Sequence, residues 1–123
     1  MRYTPKQIQK YKRQKYISHL EKIGRNLFKM FRDKSIDSNR FMDKFSSLIE
    51  TLKELDEVRL NSEYFNESKS YYLNLYKKLN SIEFDDEYLN SIRESQMSQL
   101  NRLQKLKNRA SYKKEKYKNI EFD

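Results

Sequence analysis

The chain has one histidine, His19, six residues after Arg13 in Arg13-Gln14-Lys15-Tyr16-Ile17-Ser18-His19. On an unbroken α-helix, residues six apart lie about 120° apart around the axis, so the pair converges only across a local break. The plainer reading is a surface histidine at the edge of an apolar stripe. A second candidate is the run Asp85-Asp86-Glu87. Two-metal hydrolysis needs carboxylates converging from separate elements on ions about 4 Å apart. Three adjacent residues point apart, so the run reads as a helix start, where acids meet the positive end of the dipole. Glu50, Glu54, Asp56 and Glu57 read as a solvated face, or as a partner for a basic helix of the same or a second copy. The third set is basic and aromatic: Lys6, Lys10 and Arg13 near one end, Arg102, Lys105, Arg109 and Lys116 near the other. Tyr3, Tyr11, Tyr16, Tyr112 and Tyr117 are interleaved with them. Such cations neutralise phosphates and release counterions, and tyrosine rings stack on unpaired bases.

The Arg13–His19 spacing resembles the Arg-x(4–6)-His signature of the HEPN family of helical ribonucleases. The resemblance covers seven residues and implies Arg13 and His19 acting on a scissile phosphate of RNA. The sequence departs from that family at Gln14, where a residue such as Asn or Asp follows the arginine. It also carries the segment in its first helix rather than late in the domain.

Composition narrows the classes further. The chain has 123 residues, 27 Lys+Arg, 18 Asp+Glu and a net charge of +9. It has one Gly, one Pro and no Cys. Disulfide frameworks, thiolate metal sites and cysteine nucleophiles are excluded. One glycine cannot form a P-loop or a dinucleotide fingerprint, and one histidine leaves little for zinc or non-haem iron. No cofactor and no metal are therefore expected. No uncharged run approaches a membrane span and no signal-peptide pattern is present, so the expected location is cytoplasmic, with no membrane partner. Ten Tyr and seven Phe set the chain apart from disordered sequences of similar charge.

The scarcity of Gly and Pro argues against a β-rich fold, and period-3.6 patterns predict an all-α protein. The first helix opens on the capping-box pattern Thr4-Pro5-Lys6-Gln7 and ends near Asp33–Ser35. Tyr16, Leu20, Ile23, Leu27, Phe28 and Phe31 share its inner face, opposite Lys22, Arg25, Lys29 and Arg32. The second begins after Asp37 or Ser38, with a 4-3-4-3 seam of Phe41, Phe45, Leu48, Leu52 and Leu55 that suits dimers. The third runs from Ser62 or Asn66 to Asn80. The fourth starts at Asp85 and carries Leu89, Ile92, Gln96, Leu100, Leu103 and Ala110 inward. Because the break near Asn61–Ser68 lacks Gly and Pro, the expectation is an antiparallel bundle of three or four helices. Residues 1–123 form a single domain in this reading, with 1–15 and 111–123 as basic helical extensions.

Residues 1–34 hold 11 Lys/Arg and two acids, residues 35–98 hold 8 and 13, and residues 99–123 hold 8 and three. In an up-down four-helix bundle the two basic ends share a pole; with three helices they lie at opposite ends. The projected inner face of residues 4–15 carries Lys6, Lys10 and Arg13, which predicts that this segment overhangs the bundle or meets an acidic partner with its cationic face. The leading functional expectation is a non-enzymatic binder of nucleic acid or a nucleoprotein. Lys6, Lys10, Arg13, Arg102, Lys105, Arg109 and Lys116 contact phosphates in that reading, with Tyr11 and Tyr112 as stacking rings. The alternative is a helical protein-interaction module, an adaptor or a phage- or plasmid-borne inhibitor of a nucleic-acid-processing complex. It would act through exposed rings among Tyr64, Tyr71, Tyr72, Tyr76 and Tyr88. A homodimer is a further expectation, and a HEPN-like ribonuclease is the third reading.

Overall fold

The computed structural model describes residues 3–118, and all of its regular elements are helical. Four long helices, α1 (Pro5–Arg32), α2 (Ser38–Glu54), α3 (Glu63–Asn80) and α4 (Asp86–Lys105), are followed by a 3-10 turn (Leu106–Asn108) and a short α5 (Ala110–Lys118). Each long helix starts where a side chain satisfies its first amides. Thr4 and Gln7 form a reciprocal capping box, and Asp37, Ser62 and Asp85 accept from the amides of Arg40, Phe65 and Tyr88. The four-helix alternative is therefore the observed one, with the α2–α3 break at residues 55–62. Among the described residues no helix is long and apolar enough to cross a membrane.

Arg93, early in α4, reaches the last carbonyls of α1, and Lys107, just past α4, reaches Glu21 in the middle of α1. The helices thus alternate up and down, and the start of α1 shares a pole with the end of α4. At 1.5 Å per residue, the 28 residues of α1 span about 42 Å and the 17 of α2 about 26 Å. The excess length is the first three turns of α1, where no side chain is buried before Tyr16.

The core is aromatic at its centre. Phe31, Phe41, Phe45, Phe65 and Tyr72 are almost wholly enclosed, with Phe31 and Phe41 centroids 5.0 Å apart. Gly24 allows α1 to meet α3 closely: a Cβ there would lie 2.5 Å from the Tyr72 hydroxyl. The inner face of α2 is rotated slightly from the expected seam. Ile49 is fully buried, whereas Leu48 and Leu55 are half-buried. Because Phe41, Phe45 and Leu52 fill the chain's own core, this seam is not left over for a second copy.

Two expectations fail at the C-terminal end. The fourth helix does not run on to Ala110; it stops at Lys105, and the 3-10 turn redirects the chain. The segment from 111 is no projecting extension either, because Tyr112 and Glu115 are buried. The Tyr112 ring stacks on Phe65 at 5.4 Å and meets Tyr64 edge-on at 5.1 Å, a gain that continuing α4 straight into solvent would forgo. Residues 119–123 of the expected extension, and the Tyr117 side chain, lie outside the described residues.

Candidate nucleic-acid interface

The pole shared by the start of α1, the end of α4 and α5 brings the two basic segments together, but their cations divide into two groups. The first group is held inside the protein. Arg13 Nη1 donates to Glu115 Oε2 at 2.9 Å, and the Glu115 side chain is 2 % exposed. The same carboxylate accepts the backbone amides of Asn61 at 2.8 Å and Ser62 at 3.0 Å, so it caps the entry to α3 from outside. Glu21 is the second anchor. Lys116 Nζ approaches its Oε2 at 2.9 Å and Lys107 Nζ at 3.7 Å, and the Tyr112 hydroxyl donates to it at 3.3 Å. Lys107 lies over the Tyr64 ring at 5.0 Å, and Lys116 over the Tyr112 ring at 5.7 Å.

Three expected contacts are thereby corrected. Arg13 and Lys116 are engaged with Glu115 and Glu21 rather than turned to a partner. Tyr112, 5 % exposed, offers no face for a base. The cause in each case is a single acid within a basic segment. Glu21 is the only acid among residues 1–32, and Glu115 the only one among 102–118. Burial shows in the titration of this cluster. Burial, with the Glu21 charge adding, pushes the Tyr64 phenol up to about 12. Burial also pulls the Lys107 ammonium below its usual range against the attraction of Glu21. For Lys116 burial again acts downward, but its hydrogen bonds to Glu21 and Tyr112 outweigh it and the ammonium is raised.

The second group faces solvent. Lys6, Lys15, Arg102 and Lys105 are exposed, Lys10 is half-buried, and Arg109 is largely exposed with a 3.6 Å contact to Glu63. Beside them lies a groove of about 800 Å³ between the first turns of α1 and the end of α2. Tyr3, Ile8, Tyr11 and Lys15 line one side, Glu54, Leu55 and Asp56 the other. Tyr3 is 69 % exposed and Tyr11 67 %. Lys12 bridges the walls to Asp56 at 2.8 Å and, by that hydrogen bond and its charge, holds the carboxyl below its ordinary range.

The other candidates dissolve into structure. α1 is continuous through Arg13 and His19, and His19 Nε2 donates to the Leu48 carbonyl of α2 at 2.8 Å. The two residues are thus turned to different neighbours and do not converge. Asp85 caps α4, and Asp86 accepts the Ser38 amide at 2.7 Å, a bond that holds its carboxyl below the usual range. Among the described residues no group of His, Asp or Glu is arranged to hold a metal ion. The tyrosines expected at an interface are turned inward: Tyr64 and Tyr72 are buried, and Tyr71, Tyr76 and Tyr88 half-buried.

Sequence reasoning passed over Arg93, Glu21 and Glu115. Arg93 carried a signal, since it lies four residues after Leu89 and seven before Leu100, on the inward stripe of α4. Glu21 and Glu115 carried one as the lone acids of their segments. Compared with family models, with curated proteins and with solved structures, the chain matches none.

Proposed function

We propose that the protein is a non-enzymatic binder of nucleic acid, free or within a nucleoprotein, that uses the solvent-facing cations of this pole. The supporting observation is what remains once the internal ion pairs are set aside. Lys6, Lys15, Arg102 and Lys105 are exposed with no ion-pair partner among the described residues, and Arg109 stands beside them with its contact to Glu63. Cations without carboxylate partners attract a polyanion, and counterion release makes that attraction steeply salt-dependent. A net charge of +9 acts in the same direction at longer range.

The test is fluorescence anisotropy of labelled RNA and DNA oligonucleotides with the wild type and a Lys6→Glu/Arg102→Glu/Lys105→Glu variant, each over a series of salt concentrations. The expected result is weaker binding by the variant to every sequence, with the salt slope reduced by about one per lost phosphate contact. Unchanged binding by the variant would sink this reading. The alternative, a protein-interaction module, draws on the groove at the same pole, where Ile8 is 41 % exposed. Capture of one defined protein, lost on Ile8→Asp but kept by the triple charge variant, would favour it instead.

A further inference from the structure

Four large apolar or aromatic side chains are exposed among the described residues, and three of them, Tyr3, Ile8 and Tyr11, lie at the start of α1 and line one groove. The other described tyrosines are buried or half-buried. Tyr3 and Tyr11 have no ring partner among the described residues, whereas Tyr64, Tyr71, Tyr72, Tyr76, Tyr88 and Tyr112 all pack on another ring. Two rings left free beside cations are an arrangement that bases complete by stacking.

Resting on the nucleic-acid reading above, we propose that this groove takes a single-stranded segment, with bases on Tyr3 and Tyr11 and phosphates on Lys15 of its wall and on Lys6 beside it. The charge of the two walls sets the orientation. Phosphates are drawn to the lysines of α1 and repelled by Glu54, whereas Asp56 is paired with Lys12. The bases therefore turn toward the α2 wall, where the Glu54 carboxylate accepts from exocyclic amino groups such as those of cytosine and adenine. Those groups are free on an unpaired base and occupied in a duplex, whose stacked bases also leave nothing for the two rings. Tyr11 lies six residues beyond Pro5, about 9 Å at the helical rise, and Tyr3 lies two residues before Pro5, outside the helix, which adds at most about 7 Å. At about 3.4 Å per stacked nucleotide the rings are at most about five steps apart, so the minimal site holds no more than about six nucleotides.

The experiment compares labelled oligodeoxycytidylate and oligocytidylate of two to twelve nucleotides with a hairpin duplex. The proteins are the wild type and a Tyr3→Leu/Tyr11→Leu variant, whose fold is checked by circular dichroism. Leucine keeps apolar bulk at two exposed positions and removes the aromatic face. The expected result has three parts: single strands bind more tightly than the duplex, affinity climbs with length and levels off by about six nucleotides, and the variant loses at least about fivefold per ring on single strands only. Equal affinity for strand and duplex, with the variant unaffected, overturns this inference and leaves the broader nucleic-acid reading standing. Absence of binding to every probe at physiological salt overturns both. A dimer in sedimentation that the variant abolishes assigns the groove to a second copy of the chain and overturns this inference too.

Discussion

Arg93 stands where the α4 stripe calls for an apolar side chain, and it is 4 % exposed. Its position follows from the end of α1, whose last carbonyls have no partner within their own helix. Nη1 lies 2.8 Å from the Met30 oxygen and 3.0 Å from those of Phe31 and Asp33; Nη2 reaches Ile36 at 3.0 Å and Nε reaches Asn90 at 2.8 Å. A planar group with five donors serves several converging oxygens, and its positive charge sits at the negative end of the helix dipole. Removing it leaves buried acceptors unsatisfied, at a cost of about 1–3 kcal/mol each where water does not reach. Arg93→Ala is therefore expected to lower unfolding stability by about 3 kcal/mol or more in urea titration. Arg93→Lys recovers part of this, because an ammonium has three donors and no fork. A loss within the range of ordinary surface substitutions, about 0.5 kcal/mol, would mean that the carbonyls are served without the guanidinium.

At the scale of elements, α5 depends on the rest of the fold. Its nine residues are too few to be stable alone, and its inward contacts among the described side chains include Tyr112, Glu115 and Lys116. Glu115 joins three elements by accepting from Arg13 in α1 and from the amides of Asn61 and Ser62 before α3. Glu115→Ala is expected to release α5 and to speed amide exchange at Asn61 and Ser62, while amides within α2 and the centre of α1 keep their protection. Uniformly faster exchange would instead make Glu115 part of the global core. The same distinction explains what was legible in the sequence. Helix starts were legible at Thr4 and Asp85, and to within Asp37 or Ser38 and Ser62 or Asn66 for the other two, because a cap is a local event between residues three apart. That the start of α1 overhangs or meets an acid was legible too, since Lys6, Lys10 and Arg13 continue an apolar face that cannot bury them unpaired; Arg13 meets Glu115. The turn after Lys105 was not, because no Gly or Pro marks it and the periodicity from Leu100 through Leu103 extends past it to Ala110. Only the long-range fit of Tyr112 between Phe65 and Tyr64 decides it. Arg13 and Lys116 were misassigned for the same reason: their partners are 102 and 95 residues away.

For the molecule as a whole, the aromatic core sets how the fold meets alkali. Burial pushes the Tyr64 phenol from 10.0 to about 12, and burial raises Tyr71 and Tyr72 as well. A group whose folded pKa is raised holds its proton more tightly in the native chain than in the unfolded one. Its stabilisation is fully present below the unfolded value, near pH 10, and is lost as pH climbs through the folded value. Each such phenol takes away about 1.4 kcal/mol per pH unit in that window. Three acting together remove about 4 kcal/mol per unit, against a total of about 5–15 kcal/mol for an ordinary domain. Lys116, raised through its bonds to Glu21 and Tyr112, loses its contribution in the same direction. The Lys107 and Lys116 contacts to Glu21 that steady α5 weaken as those amines lose charge. The expected outcome is cooperative alkaline unfolding that begins above pH 10, with helical circular dichroism falling together with the appearance of phenolate absorbance from the buried rings. Replacing Tyr64 by Phe keeps the ring contacts with Phe65 and Tyr112 and removes one ionisable group, so the transition should move to higher pH. An unmoved transition, or full phenolate absorbance while the helices persist, would show that these rings are solvated in the native protein and that the core is looser than its packing implies.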